Sequence, residues 1–109
     1  MIRLSVLLAL LTLSATASAQ TMTGAVNISM VRTGWNADSF AVVTAAPVIN
    51  PANCPTPDGY ISDKSMPGYD TYLAAALVAF SMNTPIIVTV HDSKCFAGRP
   101  VLIGINLFR

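Results

Sequence analysis

His91 and Cys95 are the residues whose types most directly suggest chemistry. They lie in His91-Asp92-Ser93-Lys94-Cys95-Phe96, and His91 is the only histidine of the chain. A cysteine beside a histidine can be a nucleophile beside its base. The run before His91, Pro-Ile-Ile-Val-Thr-Val, alternates and is β-branched, which places His91 at a strand end. At ~3.3 Å per residue an extended chain sets His91 and Cys95 about 13 Å apart. A nucleophile and its base need roughly 3 Å. A turn at Asp92-Ser93 would shorten the gap, but no acid stands in a motif for a third member. A metal site is no better supported. One histidine and two cysteines fall short of a four-ligand set, and there is no CxxC pair. Redox chemistry and free or intermolecular thiols are the other readings. The one adopted is a disulfide, Cys54–Cys95, with no catalytic residue, no metal and no cofactor.

The first residues support that reading. Arg3 opens the chain, Leu4 to Leu13 is apolar apart from Ser5 and Thr12, and Ala17-Ser18-Ala19 is a small-x-small cleavage site. This is the three-part pattern of a secretory signal peptide. The apolar run is about half of the ~20 residues a spanning helix needs. The expectation is a signal peptide over 1–19 and a single domain over 20–109, secreted or periplasmic. In such a compartment an even cysteine count favours a disulfide. A domain this short gains much from a covalent staple.

Without Arg3 the chain carries five basic and five acidic residues, a net charge of zero with the histidine neutral, and no glutamate. The basic residues are scattered. Nucleic acid and anionic membranes are therefore unexpected partners. No paired carboxylates at helical spacing, no nucleophile motif and no phosphate loop stand out, so the chain is not expected to be an enzyme.

Gly24 to Arg32 alternates as a strand, with Val26, Ile28 and Met30 on one face. Thr33 to Asp38 is a turn cluster carrying the only tryptophan. Ser39 to Thr44 is a second strand with Phe40 and Val42 facing the core. Ala46 to Gly59 holds four prolines, which bars helix and central strand and leaves a long loop anchored at Cys54. Tyr60 to Asp63 is a short third strand. Asp70 to Met82 is the one good helix, capped by Asp70 and ended at Asn83, with Leu73, Ala76, Leu77 and Phe80 on the inner face. Its other side carries Ala75, Ala79 and Met82 rather than charges. Two strands follow, Ile86 to His91 and Val101 to Phe108. The first puts Ile86, Val88 and Val90 on one face, the second Val101, Ile103, Ile105 and Leu107. Ser93 to Pro100 joins them, and Gly104 marks a bulge or a close approach.

This order predicts a mainly β domain with one helix, a five-stranded OB-like barrel with the helix between strands 3 and 4. A small α+β sandwich is the alternative. The chain also resembles the small exported proteins similar to the subtilase cytotoxin B subunit. The resembling features are Gly24-x-Val26, Thr33-Gly34, the cysteine after strand two, the Ala/Leu-rich helix and Asn83-Thr-Pro-Ile-Ile-Val-Thr-Val90. The resemblance implies an OB fold, export, ring-like homo-oligomers and sialoglycan binding. It carries over no sugar-contacting residue.

Two functions follow as expectations. One is a binding module for an extracellular glycan or protein partner, with Trp35, Asn36 and Asp38 as an aromatic platform with polar edges and Tyr60 and Tyr69 adding a second. The other is a structural or protein-interaction domain, an accessory subunit or inhibitor, suggested by the uncharged back of the helix. Asn27-Ile28-Ser29 matches a glycosylation sequon but falls within a predicted strand.

Overall fold

The structure is a computed structural model that describes residues 20–34 and 37–109. The proposed signal peptide, and Trp35 and Asn36 of the proposed platform, lie outside the described residues. The elements are β1 (Gln20–Met22), β2 (Ile28–Thr33), β3 (Ser39–Thr44), β4 (Tyr60–Asp63), α1 (Tyr69–Met82), β5 (Ile86–Phe96) and β6 (Arg99–Leu107). The domain is mainly β with one helix, as expected. The count is corrected from five strands to six among the described residues, because Gln20–Met22 pairs with β5. The helix consequently lies between the fourth and fifth strands.

The ladder runs β1-β5-β6-β4-β3-β2 and is mixed. All pairs are antiparallel except β4 with β6, where Ile61 meets Val101 in parallel. The sheet is open and not a closed barrel, with β1 and β2 as its two edges. It is nonetheless strongly curled. Six flat strands at ~4.8 Å spacing span roughly 24 Å, yet the short link from Met22 to Ile28 joins the two edges. Val26 in that link forms an isolated bridge to Ile86 of β5, and Ala45 N–H donates to Asn27 O.

The core fills the inside of this curl. Val26, Ile28, Phe40, Val42, Tyr60, Ile86, Val88, Val90 and Leu102 pack with Ala76 and Ala79 of α1. Phe40 and Val42 face inward as expected. Met30 does not: it is exposed. The pairing of β2 with β3 shifts register between Ile28 and Met30, and a one-residue shift turns the following side chain to the other face. A second shift, between Thr89 and Val90, leaves Ile103 unmatched in β6. Leu102, expected on the opposite face, enters the core, Ile105 of the expected face packs partly buried against it, and Leu107 is exposed.

The helix differs from expectation in two ways. Gly68, in the left-handed region at φ 82°, is its N-cap, and no side chain caps it; Asp70 sits inside the first turn. There its charge favours the positive end of the helix dipole. The buried face is Ala76 and Ala79, while Leu77, Val78, Phe80 and Met82 are exposed. Asn83 ends the helix as expected, at φ 51°, its N–H bonded to Phe80 O and Ala79 O.

The long loop is tied down at several points. Cys54 and Cys95 form the expected disulfide, with Cα atoms 5.7 Å apart. Asn50 brackets Cys54 through its side chain, accepting from Cys54 N–H at 2.8 Å and donating to Cys54 O at 2.9 Å. Thr56 N–H donates to Gly98 O at 2.8 Å. The β5–β6 hairpin is tighter than expected. It turns at Ala97 and Gly98, both at positive φ, the pairing that two-residue hairpins favour.

Candidate functional site

The disulfide settles the chemistry of the His91–Cys95 stretch. The Cys95 sulfur is bonded to Cys54, so it is no nucleophile beside an imidazole. His91 Nδ1 instead accepts from Ser93 N–H at 3.1 Å. Among the described residues no three His, Cys, Asp or Glu side chains gather as a metal set.

The curl of the sheet brings together three charges far apart in sequence. Asp58, at the end of the long loop, sits between Arg32 of β2 and Arg99 of β6. Arg99 is almost fully buried. It donates through Nε at 2.6 Å and Nη2 at 3.2 Å to the two Asp58 oxygens, and through Nη1 to Ala97 O at 2.8 Å. Arg32 donates through Nη2 at 2.9 Å to Asp58 Oδ1 and at 3.2 Å to its backbone oxygen. Bidentate guanidinium–carboxylate pairs of this kind are directional as well as strong. The hydrogen bonds from Arg99, then those from Arg32, lower the Asp58 pKa to about 2. Asp58 is therefore a carboxylate at neutral pH, and the cluster keeps one net positive charge. Its structural effect is to lock the loop onto both β2 and β6.

Beside this cluster lies a cavity of about 160 Å³. It is lined by the buried apolar residues Phe40, Ala41 and Ile61, by Thr33, Gly34 and Ser39 next to the β2–β3 turn, and by Arg32 and Arg99. Ser39 Oγ donates to Gly34 O at 3.2 Å, and Gly34 N–H donates to Ser39 O at 3.2 Å, which closes the base of that turn. At ~30 Å³ per water the cavity has room for about five waters, below the ~300–1,000 Å³ of drug-sized sites. It suits a single small ring or a charged end group.

The structure separates the residues nominated from sequence. Asp38 is exposed on the β2–β3 turn, 3.7 Å from Lys64 Nζ. Tyr60 is fully buried, with its hydroxyl accepting from Ile49 N–H at 2.9 Å and its pKa raised by burial. It packs in the core and presents no exposed ring face. Tyr69 is partly buried and packs on Phe40, ring centroids 5.4 Å apart at 58°. It supports the floor of the core and is not paired with Tyr60 as a surface. The Arg32–Asp58–Arg99 cluster escaped sequence reasoning. Its members are 26 and 41 residues apart and follow no local motif; only the proximity of charges across an unknown sheet order would have revealed it.

No protein-family model matches the chain, and no curated protein matches it, so neither links it to the subtilase cytotoxin B subunit group.

Proposed function

We propose that the chain is an exported, non-catalytic binding module that takes an acidic glycan end group at the Arg32 cavity. The observation that carries this reading is the cavity itself: a lining of Phe40, Ala41 and Ile61 beside a guanidinium cluster with one net positive charge. A sugar ring presents apolar C–H faces, and its carboxylate matches a guanidinium edge. An OB-like reading of the strand order supports the same place. The order β2-β3-β4-β6-β5 with β4 and β6 parallel is in keeping with an OB barrel, and such folds bind oligosaccharides on the face and loops around the second and third barrel strands, here β3 and β4. Trp35 and Asn36 follow Gly34 directly in sequence. The disulfide is in keeping with a secreted or periplasmic location.

A glycan array on the oxidised protein tests this. Sialylated or uronic-acid glycans are expected to bind and their neutral counterparts to fail. Arg32→Gln is expected to weaken binding about tenfold, and Trp35→Ala to weaken it without unfolding the protein. An array with no acidic-glycan signal removes the reading.

The exposed apolar side of α1 favours a second reading, an assembly of several copies. From Thr71 to Thr84 the chain has no charged residue, so two copies of this face meet without like-charge repulsion. Leu77, Val78, Phe80 and Met82 are all exposed on this helix, and apolar side chains grouped in this way mark interaction surfaces.

A further inference from the structure

The hairpin that carries His91 and Cys95 contains an irregularity that the Arg32 site does not use. Val90 pairs with Leu102 and Cys95 pairs with Pro100. Four residues of β5, His91 to Lys94, therefore stand opposite one residue of β6, Val101. This bulge is held at both ends. Asp92 accepts a hydrogen bond from Thr21 Oγ1 of β1, and Cys95 is bonded to Cys54. Bulges fixed in this way re-aim side chains and are frequent beside binding sites.

The bulge forms one wall of a cavity of about 600 Å³, which lies in the range of small-molecule sites. The opposite wall is the turn before α1, with Met66 and Pro67, and Tyr72 of the helix. Tyr72 is fixed there by the hydrogen bond from its hydroxyl to Ile103 O at 2.8 Å. The floor is Val101 to Ile103. The polar groups that reach the cavity come from His91, Ser93 and Lys94, and no Asp or Glu lines it. Among the described residues Lys94 makes no ion pair. An apolar floor beside a cation, with no acid in the lining, selects one ligand chemistry. We propose that this cavity is a second, separate binding site, and that it takes a small organic anion with an apolar ring: the ring lies on Val101, Ile103 and Met66, and the anionic group on Lys94.

The test uses 1-anilinonaphthalene-8-sulfonate, an apolar ring system with one sulfonate, and its uncharged relative N-phenyl-1-naphthylamine. Fluorescence titration of the oxidised full domain is expected to show one saturable site for the sulfonate, with the neutral dye binding about fivefold more weakly. Lys94→Gln is expected to erase that difference. Ile103→Glu, which places a carboxylate on the floor, is expected to abolish sulfonate binding. Arg32→Gln is expected to leave it unchanged, which separates this site from the glycan reading. Amide shift changes on dye addition are expected at Ser93, Val101 and Ile103. Absence of saturable binding, equal affinity for the two dyes, or loss of binding in Phe80→Ser with none in Ile103→Glu would each overturn the proposal. The last result would place the dye on the exposed helix.

Discussion

Asp58 is the residue on which most of the electrostatics of this protein turns. Its carboxylate is about half exposed, yet it neutralises one of two guanidiniums, and Arg99 is buried against it. Asp58→Asn is expected to cost about 2 kcal/mol by chemical denaturation, below the ~3–5 kcal/mol of breaking a fully buried pair, because solvent reaches Asp58. The sign with pH follows from the direction of its shift. The folded pKa of about 2 lies below the ordinary 3.8, so the unfolded chain binds more protons in this interval. The stabilisation is complete above about pH 4 and is lost as pH falls toward 2. Asp63, lowered by hydrogen bonds from Ser65, acts in the same direction. Acid titration of unfolding is expected to show a smaller slope in Asp58→Asn than in the parent; an identical slope would remove Asp58 as a source. None of this was legible in the sequence, where Arg32, Asp58 and Arg99 read as scattered charges. Tyr60 was ambiguous for another reason. An aromatic residue that follows a loop looks the same in sequence whether it faces solvent or core, and here it lies buried in the core.

At the scale of elements the sequence was informative wherever one face was distinctly apolar. Ser39–Thr44 and Tyr60–Asp63 fall where alternation and proline punctuation place them. The helix is present but rotated. It carries Leu73, Leu77, Val78, Phe80 and Met82 around its circumference, so periodicity holds little information about which side packs. Close approach to the curled sheet decides it: small Ala76 and Ala79 let the helix in, Tyr69, Tyr72 and Leu73 pack at its margin, and Leu77, Val78, Phe80 and Met82 turn outward. The register shifts that exposed Met30 and freed Ile103 are backbone events with no side-chain signature beyond Gly104. That glycine lies close against Thr89, whose side chain would stand only 3.3 Å from a Cβ at this position. The entry to the helix is sharper than its sequence suggests. Gly68 combines φ 82° with the ring of Tyr72 where a Cβ would sit. Gly68→Ala is expected to cost at least ~2 kcal/mol, more than the ~1 kcal/mol of left-handed strain alone. A loss below about 0.5 kcal/mol by thermal denaturation would mean that the turn before the helix is free to move.

For the molecule as a whole, the disulfide and the exposed helix govern behaviour in solution. Cys54 and Cys95 are 41 residues apart, and closing such a loop contributes about 4 kcal/mol in the chain-entropy account. A protein of this size has ~5–15 kcal/mol in total. The double variant Cys54→Ser, Cys95→Ser is expected to lose most of its stability, measured as a fall in Tm of more than about 15 °C. Light scattering on the oxidised domain is expected to give a multiple of the protomer mass, and Leu77→Asp to return the monomer. A parent that is already monomeric with a soluble, exposed helix would leave the assembly reading without support. The central claim is the glycan site, and amide shift mapping with a sialylated trisaccharide against its neutral disaccharide core tests it most directly. Shifts are expected at Thr33, Gly34, Ala41 and Ile61 with the acidic sugar alone, and none of them in Arg32→Gln. Shifts confined to other faces, or none with either sugar, would contradict it.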